Sequence, residues 1–181
     1  SVTPLSLGDV EPYYNTQPVV LDGKNLCFIK NHYNHIEKCW GTVFDENDWA
    51  HVERRGLKGY KLEEGTQAST AFRNLKGEQK LIVSSPEGKC AVFSLSNDGV
   101  IGDNPQVLEL PGIKACTSLA WFEGHLLVAD TSAVLVFREE KGGWKETGVI
   151  ETSGVCFVHS DERSFVISDS EAGTVWLFDS L

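Results

Sequence analysis

Three windows of the sequence share one grammar. Residues 81–95 read LIVSSPEGKCAVFSL, residues 126–137 read LLVADTSAVLVF, and residues 165–178 read FVISDSEAGTVWLF. Each is an apolar, β-branched run, a short break of small or acidic residues, and a second apolar run, which is the pattern of two strands around a turn. Their starts lie 45 and then 39 residues apart. A recurrence at this period describes a unit that cannot bury its own apolar face and must stack on its neighbours.

Each unit extends beyond its central hairpin. An apolar segment precedes it at residues 70–79, 119–125 and 155–164, with Lys76-Gly77, Glu123-Gly124 and Ser160-Asp161 as the turn residues before the next strand. A fourth strand fits residues 106–110 (QVLEL) and 144–150 (WKETGVI), after hydrophilic tracts. The last unit ends at Leu181, directly after its third strand, and QPVVL at residues 17–21 is an extended segment without a partner of its own.

These readings predict an all-β chain, organised as a small four-bladed β-propeller closed by an N-terminal strand. One domain over residues 1–181 would contain an irregular first blade at about 25–65 and repeated blades at about 69–110, 115–150 and 154–181, the last completed by residues 17–21. Closure of this kind would leave no bare sheet edge. A β-sandwich whose strands recur, or a propeller completed by a second copy, are the alternatives.

The segment DGVIGDNPQVLELPG at residues 98–112, followed by LAWFEGHLLVAD at 119–130, resembles phrases of lactonase-like and senescence-marker-like propellers. The resemblance spans roughly residues 69–179 and rests on blade grammar rather than on a catalytic fingerprint. It implies six or seven blades around a polar or metal-bearing channel, more than this chain supplies, so no ligand set is carried over. Asp130 and Asp169 match one another across the repeats, and Ser85 holds the same place in the earlier unit.

Charge narrows the partners. With 26 acidic and 16 basic residues the formal net charge is −10, which disfavours a phosphate backbone, so a small molecule or a protein is expected and nucleic acid is not. Arg54, Arg55, Lys58 and Lys61 read as a solvated strand edge. No apolar run of membrane-spanning length and no signal-like start is present, so no membrane is expected. Five cysteines, an odd number, and the lack of an N-x-[ST] acceptor point to a cytoplasmic location, with secretion as the alternative.

The N-terminal third departs from the repeat. Cys27, His32, His35 and Cys39 stand as C-x4-H-x2-H-x3-C, a set of donors suited to tetrahedral zinc but matching no common finger spacing. The expectation is no metal and no cofactor. Tyr33, Trp40, Asn47 and Trp49 could line an aromatic pocket with a polar rim, the expected ligand site. His32, His35, His51 and Asp48 are the candidate acid–base group, since a neutral imidazole can take a proton while a carboxylate orients it.

No phosphate-binding glycine loop, H-E-x-x-H, EF-hand pattern or G-x-S-x-G occurs, which removes support for nucleotide hydrolysis, zincin chemistry and standard serine hydrolysis. The sequence therefore predicts a ligand- or protein-binding propeller with a recognition loop in the N-terminal third. A small-molecule hydrolase or other acid–base enzyme on the His/acid cluster is the alternative.

Overall fold

Alternation of apolar and polar side chains needs a sheet with a covered face, and a computed structural model of the chain shows how the covering is arranged. It describes residues 68–96, 102, 104–141, 143–161 and 163–181 in full, and the backbone of residues 18–20, 26–32, 35–40 and 51–56. The described elements are all strands. β1 (Pro18–Val20), β2 (Leu26–His32), β3 (His35–Trp40) and β4 (His51–Gly56) form one antiparallel sheet. β5 (Ala68–Arg73), β6 (Gln79–Ser84), β7 (Lys89–Ser94) and β8 (Gln106–Glu109) form a second. β9 (Ser118–Phe122), β10 (His125–Ala129), β11 (Ala133–Glu140) and β12 (Gly143–Glu151) form a third. β13 (Cys156–Ser160), β14 (Phe165–Asp169) and β15 (Thr174–Phe178) form the last, with three strands.

Within each sheet the strands pair in chain order, so every connection is local and antiparallel. The β9–β10 connection is a two-residue turn in which Glu123 (φ 45°) and Gly124 (φ 79°) both take positive φ, the primed geometry that matches strand twist. Gly88 (φ 80°), between β6 and β7, is fixed twice over. A Cβ there would be strained by φ and would lie 2.7 Å from Ile113 Cβ.

Two apolar layers join the fully described sheets. Phe72, Ile82, Cys90 and Leu110 meet Leu119, Leu126, Val128 and Phe137, so β5–β8 packs on β9–β12. On the other face, Ala120, Phe122, Leu127, Ala129, Val134 and Val136 meet Cys156, Val158, Phe165 and Ile167, so β9–β12 packs on β13–β15. The middle sheet is thus covered on both faces, which is why β10 reads as the continuous run LLVA rather than as alternation. Phe93, Phe137 and Phe165 are among the largest fully buried side chains, each contributing about 1.5–3 kcal/mol relative to exposure.

The closed four-bladed propeller, and with it the resemblance to propeller families, is corrected by the pairing. The sheets are separate and unclosed, and β1 does not complete the C-terminal sheet. It pairs with β2 instead, in the register Pro18↔Phe28, Val19↔Cys27 and Val20↔Leu26. Pairing across a short local connection costs far less loop entropy than reaching a strand at the other end of the chain. Among the described residues β15 pairs only with β14, and its far edge is open. The three fully described sheets form an all-β stack of open sheets with apolar layers between them, an arrangement consistent with a sandwich.

Candidate functional site

A β-bulge lies beside a concavity among the described residues. The β11–β12 register runs Val136↔Gly148 and then Phe137↔Glu146, which leaves Thr147 as the extra residue, its hydroxyl donating to the Val136 carbonyl at 3.2 Å. A bulge bends its strand and sharpens the local twist. The ribbon beyond it, where Glu139 pairs with Trp144, meets the β5–β6 turn. There Glu139 Oε2 accepts the backbone N–H of Leu75 at 2.9 Å.

Three rings mark this meeting of sheets. Phe72 of β5 lies 5.0 Å from Trp121 of β9 and 5.5 Å from Trp144 of β12, and the two indoles are 6.1 Å apart and nearly perpendicular. These separations and tilts suit the ring quadrupoles. Trp121 and Trp144 are only partly buried. Beside the trio is a groove of about 700 Å³ whose apolar lining includes Phe72, Val92, Val107, Leu108 and Trp144. Val107 is exposed, so the lining opens to solvent.

The rim of the groove is acidic. Glu109, Glu139 and Glu140 line it, and Lys80 is its basic member. Lys80 Nζ is already met by Glu78 Oε2 at 3.1 Å, and Asn74 Nδ2 donates to the same oxygen at 2.8 Å. The Asn74 amide first, and then Lys80, hold the Glu78 carboxyl below its usual range. Three carboxylates against one lysine give the groove lining its acidic character, with Glu109 opposite Lys89 in the β7–β8 ladder.

The matched acids of the repeat serve the scaffold. Asp130 accepts backbone N–H groups from Lys114 (3.0 Å), Ala115 (2.6 Å) and Thr131 (2.7 Å). Asp169 accepts from Ser153 (2.6 Å), Glu171 (3.0 Å) and Ala172 (3.0 Å). Each carboxylate ties the connection entering its sheet to the end of the second strand. The Ala172 amide first, with Ser153 and Glu171, holds the Asp169 carboxyl below its usual range against the opposing effect of burial. At the corresponding place Ser85 Oγ accepts the Lys89 N–H at 3.2 Å.

Cys90, Cys116 and Cys156 are free thiols buried in the apolar layers. Burial pushes the Cys90 thiol up to about 11 and that of Cys116 up to about 12, so both stay protonated at neutral pH. His125 Nδ1 lies 3.0 Å from the Glu123 carbonyl, a local contact at the β9–β10 turn. Trp176 packs against the second apolar layer.

The sites expected in the N-terminal third lie outside the described side chains. Tyr33, Asn47, Asp48 and Trp49 are outside the described residues, while His32, His35, Trp40 and His51 are described in backbone alone. That backbone places His32 opposite His35 and Trp40 opposite His51 in the ladders of β2, β3 and β4. His35–Trp40 is therefore strand, where a recognition loop was expected. Among the described residues no group of three or more His, Cys, Asp and Glu side chains could hold a metal ion, and no His–acid cluster is formed. The binding-propeller reading falls with the ring. The hydrolase reading gains no catalytic group from the described residues, its own lying outside them.

The groove was missed because its members are far apart in sequence. Phe72, Leu108 and Trp144 stand on three different strands of two sheets. No local signal in the sequence could have found them, because the extra residue at Thr147 shows only in the β11–β12 register of the fold. Among the described residues no helix is long and apolar enough to cross a membrane.

No protein-family model matches the chain, and no curated protein matches it. Among solved structures it is similar to a chain in the crystal structure of a nidogen/laminin complex, at 15% identity with a TM-score of 0.58, over 93% of this chain and 61% of that one. It is also similar to a functionally unknown protein from Desulfotomaculum acetoxidans, at 9% identity with a TM-score of 0.44, over 91% of this chain and 68% of that one. The chain spans about three fifths of the first of these, and at such identity the likeness to it is one of fold alone.

Proposed function

We propose that this chain is a protein-recognition module, and that the groove between β5–β8 and β9–β12 receives an extended segment of a partner protein. The segment combines an aromatic or aliphatic side chain with a nearby Lys or Arg. The observation that carries this reading is the pairing of an open apolar lining (Phe72, Val92, Val107, Leu108 and Trp144) with three carboxylates, Glu109, Glu139 and Glu140, against Lys80, which Glu78 already meets. An apolar anchor supplies contact area and a cation supplies orientation and selectivity. The same acidity disfavours nucleic acid. The structurally similar chain from the nidogen/laminin complex belongs to a protein–protein assembly, which agrees with a binding role.

A reducing, cytoplasmic setting goes with the proposal, since Cys90, Cys116 and Cys156 are free and act as small apolar core residues. Selection of displayed peptides on the purified chain tests the function. Enriched sequences should carry Lys or Arg within a few residues of an aromatic or aliphatic anchor, and Trp144→Ala or Glu140→Lys should abolish their capture. Enrichment that ignores both substitutions, or no enrichment, would refute the reading.

A further inference from the structure

Gln106, Val107, Leu108 and Glu109 of β8 all line the groove, although successive side chains of a strand point to opposite faces. The groove therefore follows the β8 backbone itself. Of the strands at sheet ends, β8 contributes these four consecutive residues, whereas β12 contributes Gly143 and Trp144. Apart from the half-buried Leu108, β8 is exposed.

The ladder fixes which backbone groups of β8 are already used. The Leu110 N–H donates to the Gly88 carbonyl at 3.0 Å, one step beyond the pairs Lys89↔Glu109, Cys90↔Leu108, Ala91↔Val107 and Val92↔Gln106. Bonded and non-bonded pairs alternate in an antiparallel ladder, so Leu108 and Gln106 bond toward β7, while the N–H and C=O groups of Val107 and Glu109 point to the other side. Among the described residues no strand pairs with that side. Pro105 stands just before β8 and Pro111 follows Leu110 at its end, and neither carries an N–H. The edge thus offers its outward donors at Val107 and Glu109, between two residues that resist pairing with a long strand.

We infer that the partner segment binds as an added strand on β8, its backbone bonding to Val107 and Glu109 while the side chains of one of its faces enter the groove. The inference rests on the recognition reading above and names its mode. Backbone bonds of this kind supply affinity with little regard to sequence, and side chains at every second position supply selectivity. One of them meets the apolar floor of Phe72, Leu108 and Trp144, and a Lys or Arg two residues away meets the carboxylates of Glu109, Glu139 and Glu140. Because the prolines bracket the open donors, the edge takes a short segment and not the edge of a whole sheet.

The test uses a synthetic copy of a peptide captured in the displayed-peptide selection, N-methylated one residue at a time, with binding to the full chain measured by calorimetry. Methylation should cost at least about tenfold in affinity at alternate positions, where the peptide N–H bonds to β8, and little at the positions between. Val107→Pro removes an outward N–H that an edge strand can spare. It should weaken binding at least about tenfold more than Val107→Ala, which keeps the N–H, and circular dichroism with the urea midpoint establishes that both are folded. In the wild type, amide exchange should be fast at Val107 and Glu109 and slow at Leu108 without peptide, and slow at all three with it. The methylation and exchange measurements need no variant and decide the matter where Val107→Pro fails to fold. Binding that depends on Trp144 yet shows no alternation under methylation, no new protection at Val107 and Glu109, or equal loss in Val107→Pro and Val107→Ala overturns strand addition and leaves the recognition reading standing. Slow exchange at Val107 and Glu109 without peptide also overturns it, since the edge is then covered already. Failure to capture any peptide overturns both.

Discussion

The backbone N–H of Val158 donates to Ser118 Oγ at 2.7 Å across the boundary between two sheets, with both residues buried. Val158 lies on β13 and Ser118 begins β9, so this bond ties the first strands of successive sheets together. Together with the bonds from Thr117 Oγ1 to the Cys156 carbonyl and from Ser160 Oγ to the Trp121 carbonyl, it fixes how the two sheets sit on each other.

Ser118→Ala removes the acceptor and leaves a buried N–H without its partner. The expected loss is about 1–3 kcal/mol of stability, read as a lower urea midpoint at unchanged slope. An unchanged midpoint would mean that the bond contributes nothing to the sheet boundary.

Asp169 links stability to pH. Its carboxyl is held below the ordinary 3.8, so its contribution is fully present above that value and is lost as pH falls through the lower folded-state value. Asp169→Asn should therefore be less stable than wild type at neutral pH, and the gap should narrow below about pH 4. Urea midpoints of the two proteins across acidic pH check this, and a gap that widens in acid would contradict it.

Cys90 and Cys116 should resist alkylation in the native protein. Both are buried with raised pKa values, so little thiolate exists at pH 7 and reagent has no access to it. Mass spectrometry after iodoacetamide treatment should find these positions unmodified until denaturant is added. Rapid native labelling would show that the first apolar layer opens readily.

The strands of residues 68–181 were legible because their signals are local. Glu123-Gly124 marks a turn that the backbone makes with two positive φ values, and Asp130 and Asp169 mark the same place in successive sheets. Residues 17–21 misled because three extended residues carry no record of their partner. Distance along the chain decided for Leu26–His32 rather than for the C-terminal sheet. The groove was illegible for a related reason. Phe72, Glu139 and Trp144 converge only after two sheets stack and a bulge at Thr147 turns the ribbon, and neither event is written in any one segment.

Recognition at the groove is the central claim, and chemical-shift mapping tests it most directly. A short peptide with a Trp or Leu anchor beside Arg, taken from the displayed-peptide selection, is titrated into isotope-labelled protein. The account predicts saturable shifts at the amides of Val92, Val107 and Leu108 and at the Trp144 indole N–H, with affinity falling at high salt as the Glu109 and Glu140 charges are screened. Shifts confined to residues 26–56 or to β13–β15, or a saturating response that leaves the Trp144 indole unmoved, would contradict it.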